Sequence, residues 1–496
     1  MALNDGADTF RDAHAGQVIH HSLKFWYANQ DESPEIGGIV LPQAECVILA
    51  AGRGTRMHSG LAKALHELGG VPMVEHVVRA VRQAGLGKPW VVVGHQAPRV
   101  EEALEGQALF VQQPEMRGTG DAVAQTLAVL DEDTQYLVVL LADCPLVPPE
   151  LIQDVLARHE NSGADCTIVS MVVPDPRGYG RIVRSSGDRV SRIVEDREAS
   201  SDPALYQITE VNTGIGVWSV AGLSKILQGL PWHQDERYLT DAVEALVAQG
   251  KRVDVYTAPD AARVMGVNTR RDLSQAEAYL RELTLNRLFD EGVTIVDPNS
   301  TYVDIDVEVG QDTVIYPMTF LRGHTKIGRE CHIGPMTSIV SSRLGDGVRV
   351  DRSVVELSQL ASRSSVGPFS HLRPGTSLDH NVKIGNFVEL KNTRVGTGTK
   401  AGHHSYLGDA TIGGGVNIGA GTVIVNYDGK AKHPTFIGDG AFVGCNANLV
   451  APVEIGSGAY VAAGSTITQN VPPDSLGIAR ARQENKAQWA SSRRKS

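Results

Sequence analysis

The chain has 496 residues, too many for one ordinary hydrophobic core, which points to two or three domains. Its composition (42% hydrophobic, 21% charged, 5% aromatic) is that of a folded chain, and a net charge of −11 excludes a general nucleic-acid binder, which must neutralise phosphates. Five scattered cysteines without a CxxC pair argue for a reducing cytosol over a disulfide framework or zinc site, and no apolar run approaches the ~20 residues that span a bilayer, so neither membrane insertion nor export is expected.

Residues 1–43 show no periodic pattern and read as a flexible extension. From residue 44 to 269, short β-rich runs alternate with helical ones. Runs 46–50, 90–93, 108–111 and 136–141 are continuously apolar, as strands covered on both faces are, and 72–81 places Pro at a helix start before apolar residues at helical spacing. The alternation predicts an open, doubly wound, Rossmann-like α/β domain that binds ligands at the carboxyl ends of its strands.

The first strand runs into LAAGRGTRM (49–57), with Lys63 shortly after. Gly52 and Gly54 allow backbone N–H groups to form an anion nest, and Arg53, Arg56 and Lys63 add positive charge. The stretch lacks the GKS or GKT of a Walker loop, and Met57 stands where a dinucleotide fingerprint needs its third glycine. Gln113 ends a later strand and Gly118-Thr119-Gly120 opens the next helix, a second place for base or phosphate contacts. Asp143 follows the apolar strand 136–141, where a carboxylate either holds a divalent cation or serves as a cap or turn; Asn268 is its candidate partner.

Residues 270–292 join the halves, with Leu273, Ala276, Leu280 and Leu283 on one face of a connecting helix. Beyond Val293 the aliphatic period becomes six: Val303, Val309, Ile315, Leu321, Ile327, Ile333, Ile339; then Val348, Val354, Leu360, Val366, Leu372, Leu378, Ile384, Leu390; then Ile437 to Ile467. Neither a helix nor a lone strand has that period, whereas a hexapeptide parallel β-helix does, over 293–485. The break between Ile424 and Ile437 predicts an extruded loop able to reach a neighbouring subunit. Residues 486–496 read as a solvated tail. Within the β-helix, His403 and His404 lie among corner glycines in AGHHSYLGDA (401–410), and a histidine there suits a general base for an attacking amine. Arg373 and Lys391 supply cations suited to a sugar phosphate.

LAAGRGTRM, GTG (118–120), DCPL (143–146), GYGR (178–181), IVE (193–195), VNTG (211–214) and GVN (266–268) together resemble the sugar-1-phosphate nucleotidyltransferases. With NFVELK (386–391), AGHHSYLGDA, NIGAG (417–421) and NYDG (426–429), the chain is similar to the bifunctional UDP-N-acetylglucosamine pyrophosphorylase/glucosamine-1-phosphate N-acetyltransferases over about 44–485. That family has a left-handed β-helix. The resemblance implies that Leu49, Ala50, Ala51, Gly52, Arg56, Lys63, Gln113, Gly118 and Thr119 hold UTP. Gly180, Glu195, Asn212 and Asn268 would hold N-acetylglucosamine 1-phosphate, and Asp143 with Asn268 would hold Mg²⁺. His403 would be the base, oriented by Glu389, with motif position favouring it over His404. Arg373, Lys391, Tyr406 and Asn417 would bind glucosamine 1-phosphate, and Ala420, Asn426, Tyr427, Cys445, Ala463 and Arg480 acetyl-CoA; Cys445 replaces the Ser of many members. The implied protein is a cytoplasmic homotrimer that makes UDP-N-acetylglucosamine for cell-envelope sugars. The alternative is a nucleotidyltransferase whose β-helix only assembles or regulates.

Overall fold

Apolar runs without alternation make strands that must be buried on both faces, and a parallel sheet sandwiched by helices satisfies them. In the computed structural model, which describes residues 43–185 and 189–494, four such runs lie side by side. They are β1 (Ala44–Leu49), β2 (Trp90–Val93), β3 (Leu109–Gln112) and β4 (Tyr136–Leu141). β1 pairs in parallel with β4 on one side and β2 on the other, and β3 continues from β2. Helix α1 (Met73–Gln83) begins after Pro72 and buries Val74, Val77, Val78 and Val81. The expected extension at 1–43 lies, Gln43 excepted, outside the described residues.

The sheet then departs from a purely parallel order. β5 (Cys166–Val172), β6 (Arg181–Arg184), β7 (Val190–Val194), β8 (Glu210–Ser219) and β9 (Val253–Thr257) complete it, in the order β9-β5-β8-β4-β1-β2-β3, with β6 on β8 and β7 on β6. β8 runs antiparallel to both β4 and β5. Val211, Ile215, Val217 and Trp218 bury it like its parallel neighbours, so hydrophobicity alone does not betray its direction. Gly214, at φ +81°, sits where the β8 register shifts between Asn212 and Gly216. Helices α2 (Thr119–Thr126), α3 (Pro149–Ser162) and α4 (Asp241–Ala248) pack on this sheet.

Helix α5 (Arg270–Asp290) opens with a capping box between Thr269 and Asp272. Its buried face differs from the expected one. Ala276 packs against Leu68, Met73 and Val267 with Leu273 and Leu280 only partly buried, Leu283 is exposed, and Leu285 and Leu288 instead close the first coil of the β-helix. The helix serves two cores in succession, and a single apolar stripe does not describe it.

From Thr294 the chain winds as a left-handed parallel β-helix with three strand faces. Ile315 pairs with Ile333 and Leu321 with Ile339, one coil of eighteen residues apart. One stretch breaks the expected phase: Val354 is 38% exposed, while Val350 and Val355 point inward. Coils here are shortened, for Ile339 meets Val355 after sixteen residues. Val348 is buried too, but in a second inward column, two residues before each aliphatic one, occupied by small side chains such as Thr313, Thr325, Ser364 and Thr422. Hydroxyls in this column bond corner carbonyls, as Thr313 Oγ1 does to Gly328 O at 2.9 Å, which offsets the cost of burying them, although the buried Thr435 hydroxyl has no such partner. Corner glycines are required by contact between coils: a Cβ on Gly444 would lie 2.5 Å from the backbone nitrogen of Ala463. Across the break after Ile424 the step grows to 25 residues, Ile424 pairing with Leu449, as an extruded loop requires.

Candidate active sites

In the α/β half, the carboxyl ends of β1 and β4 place Leu49 and Asp143 beside each other's loops. Ala50 and Ala51 are buried and tied to the neighbouring strand and loop, Ala50 N to Val92 O at 2.9 Å and His95 N to Ala51 O at 3.2 Å. That anchoring leaves Gly52 and Arg53 exposed. Of the two nest glycines only Gly54 is left-handed, at φ +62°, and its α-carbon packs on the Lys63 stem. Gly52 has ordinary φ and open space around it.

The Lys63 ammonium contacts the Asp143 carboxylate and donates to Asn268 Oδ1 at 2.8 Å; an Arg56 guanidinium nitrogen donates to the same oxygen at 2.8 Å. Residues 205 positions apart thus meet at one point, because Val267 N bonds Asp143 O at 2.7 Å and Asn268 N bonds the capping Asp272 at 2.9 Å. Acceptor oxygens from Asp143 and Asn268 converge on a single cation. One carboxylate and one amide carbonyl suit a hard divalent ion that keeps waters and substrate oxygens as its other ligands. The residues present fit Mg²⁺.

A cavity of ≈ 320 Å³ opens beside this cluster, lined by Thr119, Tyr179, Gly180, Glu195, Asn212 and Asn268 among others. Glu195 accepts from Thr240 Oγ1 at 2.7 Å, and burial raises its carboxyl above the usual range. Burial also pushes the Tyr179 phenol up to about 12. Asn212 N bonds Gly180 O at 2.8 Å, fixing these two expected residues side by side. Gln113 donates to Gly118 O at 3.1 Å and to Asp121 at 2.8 Å, while Thr119 Oγ1 accepts from Leu239 N at 2.9 Å. Gly118, at φ +91°, passes so close to Arg237 that only glycine fits.

In the β-helix, lateral register does the positioning. Asn386 pairs with His403, and the flanking Ile384, Ala401, Ile418, Val443 and Val461 stack coil upon coil. Asn386, His403, Ala420, Cys445 and Ala463 each stand two residues beyond, so they form one column down one corner. Below His403 that column holds only small side chains, which leaves a lane for an extended ligand. The next residue along is left-handed in Phe369, Phe387 and His404. Arg373 and Lys391 stack one strand further on, each just after a paired leucine. Tyr406 and Asn426 approach each other at 3.5 Å where Gly408 makes room, and Asn426 also donates to Asp409 at 2.5 Å. Tyr427 and Cys445 are exposed, Asn417 lies one coil beyond Lys400, and the Arg480 stem passes 4.0 Å from where a Gly464 Cβ would stand.

Two features depart from the reading of the sequence. Glu389 pairs with Arg373 at 2.9 Å, whereas His403 Nδ1 lies 2.6 Å from Asn386 Oδ1. Lys432, from the extruded loop, crowds Lys391; its proximity first, then burial and Arg373, holds the Lys391 ammonium below its ordinary range. Neither Asn386 nor Lys432 carried a signal beyond membership of the right segment, since contacts between coils depend on register.

Residues 46–201 match the MobA-like NTP transferase domain, and 434–469 match the bacterial transferase hexapeptide family of six repeats. Fold and sites thus define a nucleotidyltransferase joined to a hexapeptide-repeat transferase. The Bifunctional protein GlmU of Acetivibrio thermocellus is 46% identical over 445 residues, covering 89% of this chain and 96% of the relative. Those of Shouchella clausii (47% over 442 residues, 89% and 97%) and Brevibacillus brevis (46% over 452, 91% and 98%) are similar. The chain belongs to the GlmU family of bifunctional proteins.

Proposed function

We propose that this enzyme makes UDP-N-acetylglucosamine in two steps, with 44–269 as the uridylyltransferase, 270–292 as linker, 293–485 as the acetyltransferase and 486–496 as a tail. In the first step the amine of glucosamine 1-phosphate attacks the thioester carbonyl of acetyl-CoA. The N–C bond forms, the C–S bond breaks, the amine proton passes to His403 Nε2, and the coenzyme leaves as thiolate. Arg373, Lys391, Tyr406 and Asn417 hold the sugar phosphate, and the column from Ala420 to Ala463, with Asn426, Tyr427 and Arg480, takes the acetyl donor.

In the second step a phosphate oxygen of the acetylated sugar attacks the α-phosphorus of UTP in line, and pyrophosphate departs. Leu49 to Gly52, Gln113, Gly118 and Thr119 position the nucleotide, while Arg56 and Lys63 neutralise its phosphates. Gly180, Glu195 and Asn212 hold the sugar, whose hydroxyls a buried carboxylate accepts well. Mg²⁺ held by Asp143 and Asn268 would supply Lewis-acid charge neutralisation on the phosphate oxygens.

The observation that carries this reading is the pair of separate polar clusters: Lys63, Asp143 and Asn268 at the strand ends, and His403 above a lane of small residues at a β-helix corner. A corner ridge of Met318, Met336, Phe369 and Phe387, each more than half exposed, supports a homotrimer packed through the β-helix. Phe369 and Phe387 stack at 5.4 Å. No described helix is long and apolar enough to cross a membrane.

The test supplies purified protein with glucosamine 1-phosphate, acetyl-CoA, UTP and Mg²⁺, and follows thiol and pyrophosphate separately. Thiol release followed by pyrophosphate is expected. Pyrophosphate only when N-acetylglucosamine 1-phosphate is supplied would leave the β-helix an assembly module.

A further inference from the structure

We infer that Asn386 is a positioning residue for His403, holding the imidazole in the tautomer that leaves Nε2 free as the base; the inference rests on the reading of His403 as that base. Strands Lys383–Lys391 and Lys400–Gly408 each run unbroken through a corner and pair in parallel, so Asn386 and His403 are lateral neighbours on adjacent coils. Side chains in that relation are about 4.8 Å apart at their origins and are held together by the backbone ladder itself. The ring nitrogen Nδ1 lies 2.6 Å from Asn386 Oδ1.

An amide oxygen only accepts, so Nδ1 carries the proton and Nε2 the lone pair. The carboxylate nearest in sequence is engaged elsewhere: Glu389 has His371 and Tyr406 as lateral neighbours and pairs with Arg373. The chemistry of an amide partner differs from that of a carboxylate. A carboxylate stabilises the imidazolium and moves the onset of base activity to higher pH, whereas an amide fixes the tautomer without adding charge. Asn386 therefore orients the base without placing a charge beside it.

The experiment measures kcat and KM for acetyl transfer against pH in the full-length enzyme, for wild type, Asn386→Ala, Asn386→Asp and His403→Ala, with thermal melting as the control for folding. Asn386→Ala is expected to lower kcat on the order of tenfold, with KM for both substrates little changed, since it removes part of what the base contributes. Asn386→Asp, nearly the same shape, is expected to restore most of kcat at high pH and to move the acid limb upward. Wild-type kcat and an unmoved acid limb in both variants would overturn the inference. Acetyl transfer retained by His403→Ala would instead remove His403 as the base, whatever the Asn386 variants do.

Discussion

The two halves of this chain assemble their sites by opposite means. In the α/β half, Lys63, Asp143 and Asn268 meet although 80 and 205 residues separate Lys63 from the other two. Each hangs from a loop at a strand end or a helix start, and sheet order brings the loops together. In the β-helix, Asn386 and His403 are seventeen residues apart and adjacent because one coil separates them. The first arrangement tolerates change in the connecting chain but depends on a few convergent contacts. The second depends on the count of residues per coil, and its lining follows from period and register.

Disabling one site should leave the other working. His403→Ala is expected to reduce acetyl transfer by roughly 10²–10⁴-fold and leave uridylyl transfer near wild type. Asp143→Asn is expected to do the reverse, measured as pyrophosphate release from UTP and N-acetylglucosamine 1-phosphate. Loss of both activities in either variant would mean that the halves do not act independently.

Stability separates the halves next. Gly444→Ala drives a methyl into the backbone of the adjacent coil and is expected to destabilise the β-helix by about 3 kcal/mol, seen as a lower melting transition. Gly60→Ala, in the α/β half with open space and ordinary φ, is expected to leave melting unchanged.

A pH test is specific to the α/β half. His159 is fully buried between Thr167 and Ser219, and burial lowers its pKa to about 4. The folded state favours neutral His159, so its contribution is complete above the unfolded value near 6.5 and is lost as pH falls towards 4. Urea unfolding at pH 7 and pH 4.5 is expected to show a loss of up to about 3 kcal/mol, flattened in His159→Gln. A smaller loss is expected at the join, where Arg79 bridges Glu75 and Asp306 at 2.7 and 2.6 Å. Arg79→Ala is expected to cost about 1 kcal/mol, measured by urea unfolding, because the pair is partly exposed.

Much of this was legible in the residues. The aliphatic period of six specified the β-helix, and continuous apolar runs specified the strands of the first sheet, because both patterns are imposed by burial along the chain itself. The LAAGRGTRM turn and the histidines among corner glycines stood out because they interrupt the surrounding apolar and hexad patterns. What the pattern obscured was any feature with two physical causes. Val348 and Val354 fit one phase, yet the first fills the small-residue column and the second faces solvent, because shortened coils shift the register.

By itself, then, the sequence determined the two architectures, the extruded loop and the segments that carry chemistry, since periodicity and glycine placement are local constraints. Only the tertiary structure decided that β8 runs antiparallel, that α5 closes the β-helix through Leu285 and Leu288, that Lys63 bridges Asp143 and Asn268, and that Asn386 rather than Glu389 meets His403. These depend on which strands and coils become neighbours, a property of sheet order and register that no single segment encodes.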